Sequence, residues 1–363
     1  MLKVQEYLNK FNNPTEAIQS LKDEFAIEVV YHPTDSLIIL NYNMIESPKL
    51  NEIVRECRGL VLDMADNFAI IAKGFQRFFN HCETEHLEFD WSDVTGSHKE
   101  DGSFILHYNY KDSWRVNTKG SFGFGEINDS GYTWCKLFEQ CLFQVKSTDF
   151  RKEYTYVFEL CSMYNQVVRY YQYPQIFLLA VFDKFGNEIN VDGPEFQYFE
   201  KPTTIKIHSI DEAIAYIKKQ EKDDKTFEGL VLKDKHGNRM KVKSESYLIL
   251  HRSANNGYVG WEQIYTSCLT DDGGEEFLSY FPSYRDRFDT MRKFIADSKT
   301  EIVETYEKYK GLESQKDFAL SVKDSPFSFA LFSLRKNECD TDKLFVNKTT
   351  QFLRVFDRKK DVL

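Results

Sequence analysis

Two kinds of hydrophobic spacing divide the chain near residue 250. Before that point, short runs of β-branched and aromatic residues alternate with turn residues, which predicts many strands and a few helices. Beyond it, apolar residues recur at helical spacing over 285–310, and 326–335 and 344–357 also read as helices. The predicted strands are 26–32, 36–42, 60–62, 68–72, 104–110, 114–118, 154–160, 176–182, 228–233 and 240–243.

The predicted helices of the first part have recognisable starts or apolar faces. Asn13-Pro14-Thr15 opens one, and residues 132–146 carry an apolar stripe typical of a core face. Ser209-Ile-Asp-Glu212 is a capping box that opens a helix over 213–221. The pattern therefore predicts an α+β domain of antiparallel sheets with flanking helices at 1–252, followed by a mainly helical domain at 253–363.

Composition limits the class of protein. With 363 residues and 42% apolar residues, the chain is long enough for two domains with substantial cores. Its net charge of −10 argues against a protein that coats nucleic acid nonspecifically, so any contact with nucleic acid needs local basic patches. No apolar run predicts a membrane span, and the first residues do not resemble a signal peptide. Seven cysteines without a C-x-x-C pair argue against a disulfide framework or a zinc site and favour a reducing cytoplasm.

One short stretch is a candidate for covalent chemistry. Lys99-Glu100-Asp101-Gly102-Ser103 forms an acid-flanked bend directly before the strand predicted at 104–110. A lysine is a nucleophile only without its proton, and removing that proton at pH 7 costs about 4.6 kcal/mol for a free side chain. Neighbouring cations, burial or a bound metal lower that cost. The ordinary alternative is a surface turn of mixed charge.

Four further pieces follow Lys99-x-Asp101-Gly102 along the chain, each at a predicted strand end or edge. They are Lys119-Gly120, Phe158-Glu159, Glu228-Gly229 and Lys241-x-Lys243. Each piece alone has an ordinary interpretation, as a turn, as a carboxylate at a strand end or as a solvated strand face. Taken in order, they supply a nucleophile, cations for phosphoryl oxygens, carboxylates for a metal or ribose hydroxyl, and a glycine that permits close backbone approach to a nucleotide. Lys241 and Lys243 would face the nucleotide together and would also lower the pKa of Lys99.

This ordered set resembles the covalent nucleotidyltransferases, which comprise the polynucleotide ligases and mRNA capping enzymes. The greatest similarity is to the phage RNA ligase 1 family, over roughly residues 36–251. Its local signatures are similar to Glu56-Cys57-Arg58-Gly59, Arg77-Phe78-Phe79-Asn80, Lys119-Gly120-Ser121 and Lys241-Val-Lys243-Ser244. The resemblance implies a nucleotidyltransferase (ATP-grasp-like ligase) domain followed by a helical domain for RNA-substrate specificity.

The resemblance also implies roles for individual residues. Lys99 matches the adenylated nucleophile. The implied metal ligands are Glu159 and Glu228, with Asp271, Asp272, Glu275 and Glu276 as further candidates. Phe177 is either an adenine-stacking residue or a core phenylalanine. The implied ATP-binding set is Tyr42, Arg58, Arg77, Glu100, Gly102, Lys119, Glu159, Phe177, Glu228, Lys241 and Lys243.

The chain departs from the family pattern at two places. Arg77 stands where the family carries a lysine, which keeps the charge and changes the donor geometry. The segment after Phe158-Glu159 has Gln166 beside Asn165, where the family tends to have an arginine. We therefore expect this loop to contact RNA differently.

The implied activity is that of an ATP-dependent RNA ligase, with ATP as co-substrate and Mg²⁺ or Mn²⁺ as metal. Its substrate would be RNA with 5′-phosphate and 3′-hydroxyl ends, including nicked tRNA, and we expect a monomer in the cytoplasm. Two alternatives stay open. A DNA ligase or GTP-using capping enzyme shares the lysine chemistry but normally carries an oligonucleotide-binding barrel where this chain predicts helices. A catalytically silent RNA-binding relative would have no need of all the charged motif residues together.

Overall fold

The computed structural model describes residues 1–83, 88–128, 130–145, 150–252, 260–270, 273–280, 284–336 and 341–359. The chain divides into two compact units, Met1–His251 and Arg252–Leu363. Within the described ranges, no helix has both the length and the hydropathy needed to cross a membrane.

The first unit is α+β, as predicted. Its helices are α1 Lys3–Leu8, α2 Pro14–Phe25, α3 Glu52–Glu56, α4 Trp134–Leu142, α5 Ile210–Asp223 and α6 Glu245–Arg252. Its strands are β1 Ile27–Tyr31, β2 Leu37–Tyr42, β3 Arg58–Asp63, β4 Ala69–Ala72, β5 Phe79–Asn80, β6 Val94–His98, β7 Ser103–Tyr110, β8 Ser113–Thr118, β9 Tyr154–Cys161, β10 Gln175–Asp183, β11 Glu188–Ile189, β12 Thr204–Ile207, β13 Gly229–Lys233 and β14 Arg239–Lys243.

These strands form three sheets. The first sheet has the order β1-β2-β3-β4, the second β11-β10-β9-β7-β8, and the third β12-β6-β13-β14-β5. The hairpins predicted around residues 33–35, 65–67 and 111–112 are present. One pairing departs from the expected antiparallel arrangement, because the two-residue strand β5 runs parallel to β14.

The first two sheets pack face to face. Ile39 of β2 and Val61 of β3 share a buried cluster with Leu106 of β7 and Val157 of β9. Because side chains alternate along a strand, the other face of the second sheet presents residues such as Phe158, which packs with Phe138 of α4. The helical stripe predicted at 132–146 is therefore a core face, as expected.

The third sheet is covered by α5, whose Ala213 and Ile217 pack against its strands. This helix has the predicted N-cap, because the side chain of Ser209 accepts a hydrogen bond from the Glu212 backbone N–H. The Glu212 carboxylate accepts from the His208 N–H rather than from that of Ser209, so only half of the predicted capping box forms.

The second unit is helical. Its elements are α7 Trp261–Cys268, α8 Glu275–Tyr280, α9 Arg285–Tyr309, α10 Gln315–Val322, α11 Ser328–Arg335, α12 Thr341–Asn347 and α13 Thr349–Lys359. Fully buried rings such as Phe288, Phe318 and Phe352 form its core. The helical residues predicted over 344–357 are confirmed, although Lys348 forms a turn that separates α12 from α13. There the Thr349 hydroxyl donates to the Val346 carbonyl at 2.9 Å and competes with the helical backbone bond.

Candidate active site

The register of the third sheet brings three of the predicted charged residues together. Strands β6 and β13 are antiparallel neighbours, so the end of β6 lies beside the start of β13, and the Lys99 N–H donates to the Gly229 carbonyl at 2.9 Å. On the other side of β13, Lys243 lies opposite Gly229. Lys99, Glu228 and Lys243, which are far apart in sequence, therefore meet at one end of this sheet.

Glycine is required at position 229 by this close packing. Its backbone has a φ of +137°, and a side chain there would lie 2.1 Å from the Val242 carbonyl oxygen. The Glu-Gly pair therefore lets β13 begin directly against β14 with the Glu228 carboxylate next to Lys243.

The Glu228 carboxylate binds two ammonium groups through one oxygen. Its Oε1 lies 2.8 Å from Lys99 Nζ and 2.8 Å from Lys243 Nζ. The side chain of Glu228 is 3% exposed, that of Lys243 9% and that of Lys99 24%. Lys99 is thus the member of the cluster that solvent or a ligand reaches most easily.

The electrostatics hold Lys99 in its charged form. Burial favours the neutral amine, and Lys243 does so too, but the Glu228 and Glu159 carboxylates outweigh both and raise the pKa of Lys99 above its ordinary value. Lys243 thus lowers the pKa of Lys99, as expected, but the two carboxylates outweigh it. Burial opposes ionisation of Glu228 as well, yet Lys243 and Lys99 lower its pKa overall.

Glu159 is the second carboxylate beside Lys99. Burial and the nearby Glu228 raise its pKa to about 7, against the opposing influence of Lys99 and Arg58. It lies in β9 opposite Phe104 of β7 and Phe177 of β10, so these three side chains share one face of the second sheet. The bend 99–102 links β6 of the third sheet to β7 of the second and so places Glu159 near the Glu228 cluster.

Phe177 does not behave as a core residue. It is half-buried, whereas its neighbours Ile176 and Leu178 point to the opposite face and belong to the hydrophobic core. The interpretation of Phe177 as a core phenylalanine is therefore wrong. Its ring lies on the same face as Glu159, which is compatible with the proposed contact to a nucleobase.

Arg58 lies between aromatic rings at the edge of this cluster. Its guanidinium carbon is 4.8 Å from the Phe104 ring centre and 5.6 Å from that of Phe78. Lys241 Nζ is 5.7 Å from the Phe78 ring centre, so a second cation lies on the same aromatic side chain. As predicted from the Lys-Val-Lys alternation, Val242 is buried while Lys241 and Lys243 are only partly so.

A second group of predicted residues surrounds Tyr42. The Arg77 guanidinium carbon lies 4.6 Å from the Tyr42 ring centre, and Lys119 Nζ lies 6.0 Å from it. Asn41 connects this group to Arg58, because its Nδ2 donates to the Lys119 carbonyl at 2.6 Å and its Oδ1 accepts from the Gly59 N–H at 2.8 Å. Sequence analysis did not identify Asn41, since an asparagine inside an apolar strand has no distinctive spacing.

The acidic residues of the bend are used to fix its shape. Asp101 is buried and accepts hydrogen bonds from the backbone N–H groups of Val168 and Arg169 and from the hydroxyl of Tyr247. Glu100 accepts from the Tyr171 hydroxyl at 3.0 Å. Tyr247 lies 146 residues from Asp101, so no local sequence signal could have revealed this contact.

Gly102 has a structural role in addition to the one expected. A side chain at this position would lie 2.4 Å from the Leu160 carbonyl oxygen and 2.7 Å from Cys161 Sγ. The close approach that requires glycine is therefore to β9. Approach to a nucleotide is not needed to explain this residue.

Several buried polar atoms at the site have no hydrogen-bond partner among the described residues. They include the donors Arg58 Nη1 and Arg77 Nε and the acceptors Glu228 Oε2 and Asn80 Oδ1. An unsatisfied buried polar atom costs free energy, and such atoms are rare in native proteins unless a ligand or water binds them. Donors next to acceptors fit a ligand that carries phosphate oxygens together with hydroxyl groups or a hydrated metal ion.

The C-terminal metal candidates give little support to a second site. Asp271 and Asp272 lie outside the described residues, as does the side chain of Glu276. Glu275 forms ion pairs with Arg285 at 3.0 Å and with Arg292 at 2.6 Å. These pairs balance the negative charge of its carboxylate without a metal. Within the described part of the chain, no three His, Cys, Asp or Glu side chains form a ready-made metal cluster.

The raised pKa of Glu159 predicts a pH-dependent effect of Glu159→Gln on stability. The folded pKa of about 7 exceeds the ordinary value of 4.5, so the wild type loses stability as pH rises through 7, whereas glutamine does not titrate. Relative to wild type, the variant should gain on the order of 1–3 kcal/mol between pH 5.5 and 8.5, as measured by urea denaturation. Glu153→Gln, at an exposed position two residues before Thr155, is the control. A constant difference for Glu159→Gln across this range would contradict the prediction.

Three comparisons with known proteins agree with this geometry. A family model described as RNA ligase, of the T4 RNA ligase 1 type, matches residues 56–248. A protein of Autographa californica nuclear polyhedrosis virus, described as a bifunctional polynucleotide kinase/RNA ligase, is 25% identical over 291 residues, which are 73% of this chain and 40% of the viral protein. The chain thus spans less than half the length of this relative.

A solved structure of an RNA ligase shows a similar fold. An archaeal ATP-dependent RNA ligase aligns with 92% of this chain and 81% of its own, at 12% identity and a TM-score of 0.50. An ATP-dependent DNA ligase from Aquifex aeolicus aligns with 82% of this chain and 81% of its own, at 14% identity and a TM-score of 0.47. The family model covers more than half of the chain and includes every motif from Arg58 to Lys243, so the protein belongs to the T4 RNA ligase 1-type family of RNA ligases.

Proposed function

We propose that the protein is an ATP-dependent RNA ligase that joins 5′-phosphate and 3′-hydroxyl RNA ends through an AMP adduct on Lys99. The observation that carries this proposal is the Glu228 carboxylate, which holds Lys99 and Lys243 together at the end of one sheet. Family membership supports the reaction type, and Arg58 Nη1 and Arg77 Nε, which have no hydrogen-bond partner among the described residues, support a polyphosphate ligand.

Each group of side chains has a proposed role toward ATP. Lys241 and Lys243 would bind the α-phosphate, and Arg58, Arg77 and Lys119 would bind the other phosphates or the ribose. Phe177 would stack on adenine, which its half-buried ring on the Glu159 face supports. The remaining proposed ATP contacts are Tyr42, beneath two of these cations, Glu100, whose carboxylate is held by Tyr171, and the backbone at Gly102.

Glu159 and Glu228 would hold a divalent metal, Mg²⁺ or Mn²⁺. Glu228 Oε2 has no hydrogen-bond partner in the described part of the chain, and the hard oxygen donors of both carboxylates fit such an ion. A metal at these carboxylates would add positive charge that stabilises negative charge developing on the phosphoryl oxygens.

The side chains of the protein carry the covalent steps. Lys99 must first lose its proton, which requires its ion pair with Glu228 to weaken. The neutral Nζ then attacks the α-phosphorus of ATP, an N–P bond forms, and the bond to pyrophosphate breaks. An oxygen of the RNA 5′-phosphate next attacks the phosphorus of the bound AMP, so that a P–O–P bond forms and the N–P bond to Lys99 breaks. The 3′-hydroxyl then attacks the RNA 5′-phosphorus, so that the phosphodiester forms, the P–O–P bond breaks and AMP leaves. Oriented Lys243 and Lys241 stabilise the charge on the α-phosphate in each step.

The natural substrate is proposed to be broken RNA such as a nicked tRNA, as the family resemblance implies. We assign substrate selection to the helical unit Arg252–Leu363, because the charged motif residues all lie in the first unit.

The first prediction concerns the nucleophile. With α-labelled ATP and Mg²⁺, the wild-type protein should retain label after denaturation, and Lys99→Ala should retain none, because Lys243, the other amine beside Glu228, is more deeply buried than Lys99. GTP should not label the wild type. Lys152→Ala, at an exposed lysine, is the control and should label normally. Labelling from GTP alone would favour a capping enzyme, and label on Lys99→Ala would disprove the assignment of the nucleophile.

The second prediction separates the cations by step. Arg58→Ala should be strongly impaired with ATP but largely restored when pre-adenylated RNA is supplied, because the pyrophosphate that Arg58 is proposed to bind has then already left. Lys241→Ala and Lys243→Ala should stay impaired in both assays by on the order of 10²–10³-fold, since the α-phosphate is present throughout. Single-turnover ligation of 5′-phosphate RNA plus ATP is compared with ligation of adenylated RNA alone.

Circular dichroism and urea denaturation provide the control for this comparison. Lys243→Ala leaves the buried Glu228 with one ammonium partner fewer, so its stability must be measured before its activity is interpreted. If adenylated RNA restores all three variants equally, the cations have been assigned to the wrong phosphates.

The third prediction concerns the division into two units. A chain that ends at residue 252 should still label itself from ATP, because the charged cluster lies entirely within Met1–His251. It should lose preference among RNA substrates. Labelling is measured on protein shown to be folded by circular dichroism, with the full chain as the control. Absence of label on the folded fragment would show that the second unit takes part in the nucleotide chemistry.

A further inference from the structure

The loop between β9 and β10 has an ordered inner side. Asn165 is buried, and its Nδ2 donates to the Leu160 carbonyl at 2.7 Å and to Ser103 Oγ at 2.9 Å. Asp101 binds the backbone at positions 168 and 169, and the Tyr171 hydroxyl binds Glu100. Residues 162–174, here called the tyrosine loop, are therefore fixed to the bend that carries Lys99.

The outer side of the tyrosine loop is unusually apolar. Tyr170 is 59% exposed and Tyr173 70%, and the large side chains of Met163 and Val167 are also exposed. An ordered loop that keeps several large apolar groups in solvent typically marks an interaction surface. The folding of the first unit does not account for these rings, because they pack in none of its core clusters.

A recess of about 320 Å³ lies between this loop and the bend. Its lining includes Glu100 and Phe177, which belong to the proposed nucleotide site, together with Tyr170 and Tyr173 of the loop. The exposed rings are thus next to the place where the RNA end must meet AMP on Lys99.

The chemistry of the loop indicates which ligand it binds. The tyrosine loop contains no aspartate or glutamate, although the whole chain carries a net charge of −10. Its one charged residue is Arg169. Tyrosine rings without nearby loop carboxylates are suited to stacking on the bases of an unpaired RNA strand, whose phosphates would be repelled by acidic side chains.

Resting on the proposed function, we propose that Tyr170 and Tyr173 form a stacking platform for an unpaired base next to the RNA end that is joined. The platform acts on RNA affinity and is separate from the transfer of AMP to Lys99. The occupant is single-stranded RNA, and the two other conceivable occupants, the adenine of ATP and a second copy of this chain, are outcomes of the test.

The test compares Tyr170→Ala/Tyr173→Ala with Tyr170→Phe/Tyr173→Phe in the full chain. The affinity for a fluorescein-labelled, single-stranded 5′-phosphate oligoribonucleotide is measured by fluorescence anisotropy, without ATP. The alanine variant should bind about 5- to 100-fold more weakly, the range expected for loss of base stacking, while the phenylalanine variant should bind like wild type. Tyr198→Ala, at another exposed tyrosine of the same unit, is the matched control and should bind normally.

Two further measurements make the outcome decisive. Labelling from α-labelled ATP should proceed in the alanine variant at the wild-type rate, and a large loss would mean that the rings bind ATP instead. Sedimentation velocity should show no change in oligomeric state, and dissociation of a wild-type dimer with unchanged RNA affinity would assign the rings to a contact between copies.

If wild-type protein takes up no label at all, the proposed function fails. If it labels and ligates but the alanine variant binds RNA normally, only the platform is disproved.

Discussion

The site depends on one buried carboxylate that neutralises two ammonium groups. Taking three charges out of water is costly, and the pairs Glu228–Lys99 and Glu228–Lys243 offset that cost only while all three remain in place. Removing Glu228 would leave two amines close together without a counterion. The carboxylate therefore determines both the local stability of the third sheet's end and the position of the proposed nucleophile.

The same pairing sets the protonation state of that nucleophile. Glu228 and Glu159 favour the ammonium form of Lys99 over the opposing effects of burial and Lys243, and the ammonium form is not nucleophilic. A ligand or metal that competes for the carboxylates would release it. The two neighbouring carboxylates shift in opposite directions, because burial dominates the pKa of Glu159, whereas Lys243 and Lys99 outweigh burial at Glu228.

The bend that carries Lys99 also connects two sheets. Its Asp101 joins the backbone of the tyrosine loop to Tyr247 of α6, so one buried side chain fixes three segments relative to the nucleophile. In contrast, Arg58 and Arg77 keep buried nitrogens without a partner among the described residues. The first unit thus has a bend fixed by hydrogen bonds and, where phosphates are proposed to bind, buried donors without a partner among the described residues. This combination favours ligand binding at the expense of stability.

The sequence alone determined the order of the elements and the residues with unusual chemistry. Short runs of β-branched and aromatic residues between turn residues predicted the main strands, and the ordered motifs identified Lys99, Glu159, Glu228 and Lys243. The tertiary structure decided which of these residues interact and how they shift the pKa of one another. The upward shift of the Lys99 pKa depends on carboxylates that lie 60 or more positions away, and the reason for Gly102 is a carbonyl on β9. Neither Asn41 nor Tyr247 has a local signal, because each acts through a contact that forms only when distant strands and helices pack together.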